Sequence, residues 1–104
     1  MDERLRPQTI LANGAELTYV EQGGGDPVIF AHGSTGDFRG WLEHLALVPD
    51  RYRTITYSRR GHYPNAWPAD YSACTPEAHA ADLAALIAAL GHGSVHLVGH
   101  SYGA

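Results

Sequence analysis

A single cysteine, Cys74, leaves no partner for an intrachain disulfide and excludes a metal site built from cysteines. Charge is scarce too: Asp, Glu, Lys and Arg make up 17% of the 104 residues, below the roughly 25% usual in soluble domains. The 7 basic residues are outnumbered by 11 acidic ones, for a net charge of −4. That balance argues against a nucleic-acid binder, which normally shows a basic face or stripe. No apolar run approaches the ~18 residues of a membrane span. The amino terminus, from Met1 to Pro7, carries both signs of charge with no apolar core behind them, unlike a secretory leader. The expectation from these absences is a cytoplasmic protein that binds neither nucleic acid nor membrane.

What is present is apolar. Hydrophobic residues reach 44%, enough for the packed core of one domain and too many for a disordered chain. With so little charge, more of this surface than usual is meant for burial. There is no internal repeat and no low-complexity tract.

Short apolar runs alternate with helical patterns along the chain. Thr9–Ala12 and Leu17–Val20 flank Asn13-Gly14, a dipeptide that tolerates the positive φ angles of a tight hairpin turn. Val28–Ala31 is wholly apolar, as in a strand buried on both faces. Phe38, Trp41, Leu42, Leu45 and Val48 recur at helical spacing up to Pro49, with Gly40 as a weak point. Thr54–Tyr57 is the next strand, and Ser58 to Cys74 has no period, as functional or mobile loops do. Thr75 caps a helix that starts at Pro76 and stops at Gly91, with Ala80, Leu83, Ile87 and Leu90 as its apolar stripe. Val95–Val98 closes the series as a strand. The order predicts an α/β fold: a mostly parallel sheet with flanking helices and the hairpin at one edge.

Two motifs carry chemistry. Gly99-His100-Ser101-Tyr102-Gly103 fits G-x-S-x-G directly after an apolar strand. In that setting a serine sits on a strained strand-to-helix turn that projects its hydroxyl from the carboxyl edge of the sheet. The flanking glycines are needed because a Cβ there would strike neighbouring backbone. His32-Gly33-Ser34-Thr35 ends an earlier strand. Acyl transfer through a tetrahedral intermediate needs pre-placed N–H donors for its oxyanion. Tyr102, following the serine, supplies one, and Ser34 is the candidate for the second.

On these motifs, in this order and separated by two strand–helix units, the chain resembles the amino-terminal part of an α/β-hydrolase-fold protein. The likeness covers the hairpin, the His32-Gly33 turn, the Tyr57-to-His62 segment, the capped helix and the serine turn, from about Leu11 to Ala104. It implies Ser101 as nucleophile, the backbone N–H groups of Ser34 and Tyr102 as oxyanion hole, a small-molecule acyl substrate, and no cofactor or metal. A serine in place of aspartate at the nucleophile position argues against epoxide hydrolase or haloalkane dehalogenase chemistry. Esterases, thioesterases, carbon–carbon bond hydrolases and cofactor-free perhydrolases stay open. The family order is serine, acid, histidine, and the sequence ends three residues after Ser101. The expectation is a partial domain over residues 1–104, truncated after the serine turn and inactive alone. The alternative is a non-catalytic fragment, or a half-domain completed by a C-terminal chain.

His32 is expected to be a structural histidine bonded to backbone; His32 and His62 lie on loops at the same sheet edge. His92, His96 and His100 recur every four residues, but Gly91, Gly93 and Gly99 exclude the helix that would make them metal ligands. Gly23-Gly24-Gly25 precedes a strand, so no helix amino terminus waits for a phosphate. Arg59-Arg60 is expected on a solvated loop. Trp67 and Tyr71 either line a substrate entrance or cover the core.

Overall fold

The computed structural model describes residues 6–104; Met1–Leu5, most of the charged amino terminus from Met1 to Pro7, lies outside the described residues. Strand β1 (Gln8–Ala12) turns back into β2 (Ala15–Gln22), followed by β3 (Asp26–Ala31), β4 (Tyr52–Tyr57) and β5 (His96–Gly99). The hairpin turn uses positive φ at both Asn13 (53°) and Gly14 (77°), the geometry that matches the right-handed twist of its arms. The sheet order is β1-β2-β4-β3-β5. Antiparallel pairing is confined to the hairpin and its junction with β4; β3 pairs in parallel with β4 on one side and with β5 on the other. This central place explains the unbroken apolar run of β3, whose Ile29, Phe30 and Ala31 are buried.

Helix α2 (Pro76–Leu90) follows its sequence signals closely. The Thr75 hydroxyl accepts from the Ala78 N–H at 3.1 Å, Pro76 occupies the first turn, and Gly91 ends the helix at φ 72°. Its buried face is rotated from the expected stripe. His79, Asp82 and Leu86 are buried, with Leu83, Ile87 and Leu90 packed alongside and Ala80 exposed. Two polar residues at the centre of that face hide it from a hydrophobicity pattern. Leu86 completes a core with Leu17, Ile29, Ile55 and Tyr57.

The helix expected from Phe38 to Val48 shrinks to a 3-10 turn (Phe38–Trp41) and one α turn, α1 (Leu42–Leu45). The hydroxyl of Thr56 donates to the Phe38 carbonyl at 2.8 Å, and the Ser58 hydroxyl takes the Phe38 N–H at 2.9 Å. Leu42 N–H bonds instead to Arg39, three residues back. Phe38 and Leu45 are buried against the sheet, while Leu47 is exposed.

The aperiodic segment after β4 is anchored at its start. The Asn65 side chain donates to the carbonyls of Ser58 and Arg59 at 2.8 and 3.0 Å, and accepts from the Thr18 N–H at 2.8 Å. Further along, Trp67 and Tyr71 meet edge-on with ring centroids 5.6 Å apart, and both are exposed, so they do not cover the core. Arg60 is not free in solvent: it grips the buried Asp82 carboxylate through Nε and Nη2, both at 2.9 Å. Asn13 of the hairpin turn donates to the same carboxylate at 3.0 Å, and its carbonyl accepts from Arg60 at 3.0 Å. One carboxylate thus ties hairpin, loop and helix together. Among the described residues no helix is long and apolar enough to cross a membrane.

Candidate active site

Strands β3, β4 and β5 run in parallel, so their carboxyl ends bring the turns at His32, Ser58 and His100 to one edge of the sheet. Ser101 has φ 56°, and Asn13 is the other non-glycine residue with positive φ among those described. Asn13 belongs to a hairpin turn where that geometry is routine; a serine there carries strain. The packing explains both glycines of the motif. A Cβ on Gly99 would strike the Gly103 carbonyl, and one on Gly103 would lie 2.5 Å from the carbonyl oxygens of Ala31 and His32. The chain can turn this sharply against the end of β3 only without side chains at 99 and 103.

The His32-Gly33 turn lies directly on this elbow. A Cβ on Gly33 would sit 3.6 Å from Ser101 Cβ and 3.2 Å from His100 Nδ1. The two sequence motifs, far apart in the chain, therefore meet. Ser34 is exposed at the tip of the turn, and its N–H donates to no backbone carbonyl among the described residues. Tyr102 follows Ser101 in a short 3-10 turn, Ser101–Gly103, with its ring partly exposed. A cleft of about 410 Å³ opens beside the elbow, lined by His32, Gly33, Thr35, Trp41, His44 and His100. Trp41 gives it an aromatic wall, held by Phe30 at a centroid distance of 5.0 Å.

His32 is bonded to backbone, as expected. Its Nδ1–H donates to the Gly33 carbonyl at 2.7 Å, and its Nε2 accepts the Arg59 N–H at 3.0 Å. Together these bonds fix one neutral tautomer and occupy both nitrogens. Burial, chiefly, pushes its pKa down to about 4, against the bond to the Gly33 carbonyl, with the Arg59 cation and the neighbouring His62 acting in the lowering direction. The His62 ring packs against that of His32 in a tilted arrangement, centroids 4.6 Å apart, and donates from Nδ1 to the Gly36 carbonyl at 3.1 Å. His79 of α2 faces Tyr102 edge-on at 6.0 Å, and burial lowers its pKa as well. His92 lies elsewhere, against Glu21 at 3.2 Å.

Since His32 protonates far more easily when unfolded, the unfolded chain binds more protons between about pH 6.5 and pH 4. Stability is expected to fall as pH drops through that window and to level off below it with respect to this group. Denaturant melts at pH 7 and pH 5 check it, and His32→Gln should flatten the slope.

Arg59 corrects the sequence expectation. It is 3% exposed, and its guanidinium donates through Nη1 to the His32 carbonyl and through Nη2 to the Gly33 carbonyl at 3.1 Å. It also lies over the Tyr102 ring, 5.0 Å from the centroid. Two adjacent arginines beside a glycine read as a solvated loop; only the end of β4, which aims the first of them inward, distinguishes them.

The profile of the alpha/beta hydrolase fold family matches residues 26–104. The chain belongs to the α/β-hydrolase family. Among curated α/β-hydrolase relatives, an epoxide hydrolase from Caballeronia sordidicola is 38% identical over 96 residues, covering 91% of this chain and 29% of that protein. A non-heme haloperoxidase from Rhodococcus erythropolis is 36% identical over 98 residues, covering 93% and 35%. The crystal structure of an epoxide hydrolase from Vigna radiata superposes with a TM-score of 0.90 at 33% identity, covering 97% of this chain and 33% of that one. The chain thus spans about a third of the length of the relatives it matches.

Proposed function

We propose that these residues supply the nucleophile and oxyanion hole of a serine hydrolase acting on an ester or related small acyl substrate. The observation that carries the reading is Ser101 itself, held at positive φ on a glycine-walled elbow with the His32-Gly33 turn packed on it. In this reading Ser101 Oγ attacks the acyl carbon while a histidine takes its proton. The oxygen that becomes negative is met by the N–H groups of Ser34 and Tyr102. Collapse expels the alcohol, which leaves with that proton, and water then releases the acid from the serine. The histidine and its orienting acid follow Ser101 in the family's chain order. His32 does not replace them, because both of its nitrogens are already engaged. Residues 1–104 alone are therefore expected to turn over no ester.

Named relatives include epoxide hydrolases and haloperoxidases. The serine at the elbow favours acyl transfer over epoxide opening, for which the family resemblance implies an aspartate. The test is turnover by the natural full-length protein. Short p-nitrophenyl esters should be hydrolysed and styrene oxide left intact. Turnover of the epoxide with no ester hydrolysis refutes the reading.

A further inference from the structure

The Gly33 carbonyl is crowded with donors. It accepts from His32 Nδ1 at 2.7 Å, from Arg59 Nη2 at 3.1 Å and from the Gly36 N–H at 3.1 Å. That oxygen and the Ser34 N–H belong to one peptide unit, which is planar and trans, so they point in opposite directions. Fixing the oxygen fixes the N–H. One of the three donors is a cation, and a charge-assisted bond to a carbonyl polarises the peptide and strengthens its N–H as a donor. The same guanidinium holds the His32 carbonyl and lies over Tyr102, the residue after Ser101. No carboxylate pairs with it among the described residues, and its Nε is buried without a partner. A buried, unneutralised cation is costly to keep, and this one lies behind the peptide whose N–H would meet an oxyanion.

We infer that Arg59 is a positioning residue for the oxyanion hole: its guanidinium aims and polarises the Ser34 N–H and braces the Tyr102 side of the same hole. This rests on the reading of Ser101 as an acyl-transfer nucleophile. Arg59 touches no substrate; it acts through the peptide at Gly33-Ser34 and through the Tyr102 ring.

The test uses the natural full-length protein, p-nitrophenyl acetate and its thiono counterpart, in which sulfur replaces the carbonyl oxygen. Sulfur accepts hydrogen bonds weakly, so a working hole favours the oxygen ester. In Arg59→Met, kcat on the oxygen ester should fall about tenfold or more, short of the ~10²–10³ lost with a donor outright, with KM nearly unchanged. The oxygen-to-thiono ratio of kcat/KM should fall with it. A fold defect lowers the active fraction for both substrates and leaves that ratio alone. Arg59→Lys keeps the charge without the planar fork and should recover part of the ratio. An unchanged ratio in both variants overturns the inference while the nucleophile assignment stands. Wild-type protein that neither turns over the ester nor acylates at Ser101 overturns both.

Discussion

Ser101→Gly is expected to raise the melting temperature and, in the same protein, to remove ester turnover. The two effects have separate causes. A non-glycine residue in the left-handed region costs about 1 kcal/mol or more, and Ser101 sits there at φ 56°. Glycine occupies that region without the Cβ clash, so the substitution releases strain. In the natural full-length protein, where turnover can be read, about 1 kcal/mol is a shift of roughly 2 degrees. Loss of the hydroxyl removes the nucleophile, for which a fall in kcat of about 10⁴ or more is expected. Ser101→Ala is the control: it loses the nucleophile yet keeps a Cβ at the strained φ, so its melting temperature should stay near wild type. Calorimetry of the three proteins beside an ester assay separates the effects. A melting temperature that falls in Ser101→Gly contradicts the idea that the elbow stores strain to present its serine.

Asp82→Ala should destabilise the fold strongly although it removes only a polar side chain from α2. Asp82 is 1% exposed and holds Arg60 through two bonds of 2.9 Å, with Asn13 on the same carboxylate at 3.0 Å. Removing one partner of a buried pair leaves the other without compensation, at a cost of about 3–5 kcal/mol. Arg60 keeps 25% of its side chain exposed, so water recovers part of its solvation and about 3 kcal/mol is the expected loss. Because the carboxylate joins the hairpin turn to the loop and the helix, hydrogen exchange should quicken at Asn13 and at Arg60 together. The measurement is urea unfolding of Asp82→Ala, with Asp82→Leu combined with Arg60→Met as companion. The apolar double variant should be more stable than the single one, since it leaves no unpaired charge. A loss below about 1 kcal/mol, the value of an exposed pair, refutes the assignment.

The two site motifs were legible because each is local. The glycines at 99 and 103, the serine between them and the apolar strand before them lie in one short stretch, and the turn geometry follows from it. The capped helix was equally plain, since Thr75, Pro76 and Gly91 each satisfy a requirement of a helix end. What stayed hidden depends on residues distant in sequence. The Phe38 carbonyl, which an α-helix would pair with Leu42, accepts instead from the hydroxyl of Thr56, 18 residues on. The buried face of α2 was masked by Asp82 and His79, polar residues that a periodicity count assigns to solvent. Arg59 was hidden for the same reason. Its partners are carbonyls of the His32-Gly33 turn, and no pattern in the chain marks a carbonyl as waiting for a cation.

Labelling of the natural full-length protein with a fluorophosphonate, followed by peptide mapping of the adduct, tests the role of Ser101 most directly. The phosphonyl group is expected on Ser101 alone, with labelling abolished in Ser101→Ala and slowed in Arg59→Met. An adduct at another serine, or equal labelling of Ser101→Ala, contradicts the assignment of the nucleophile.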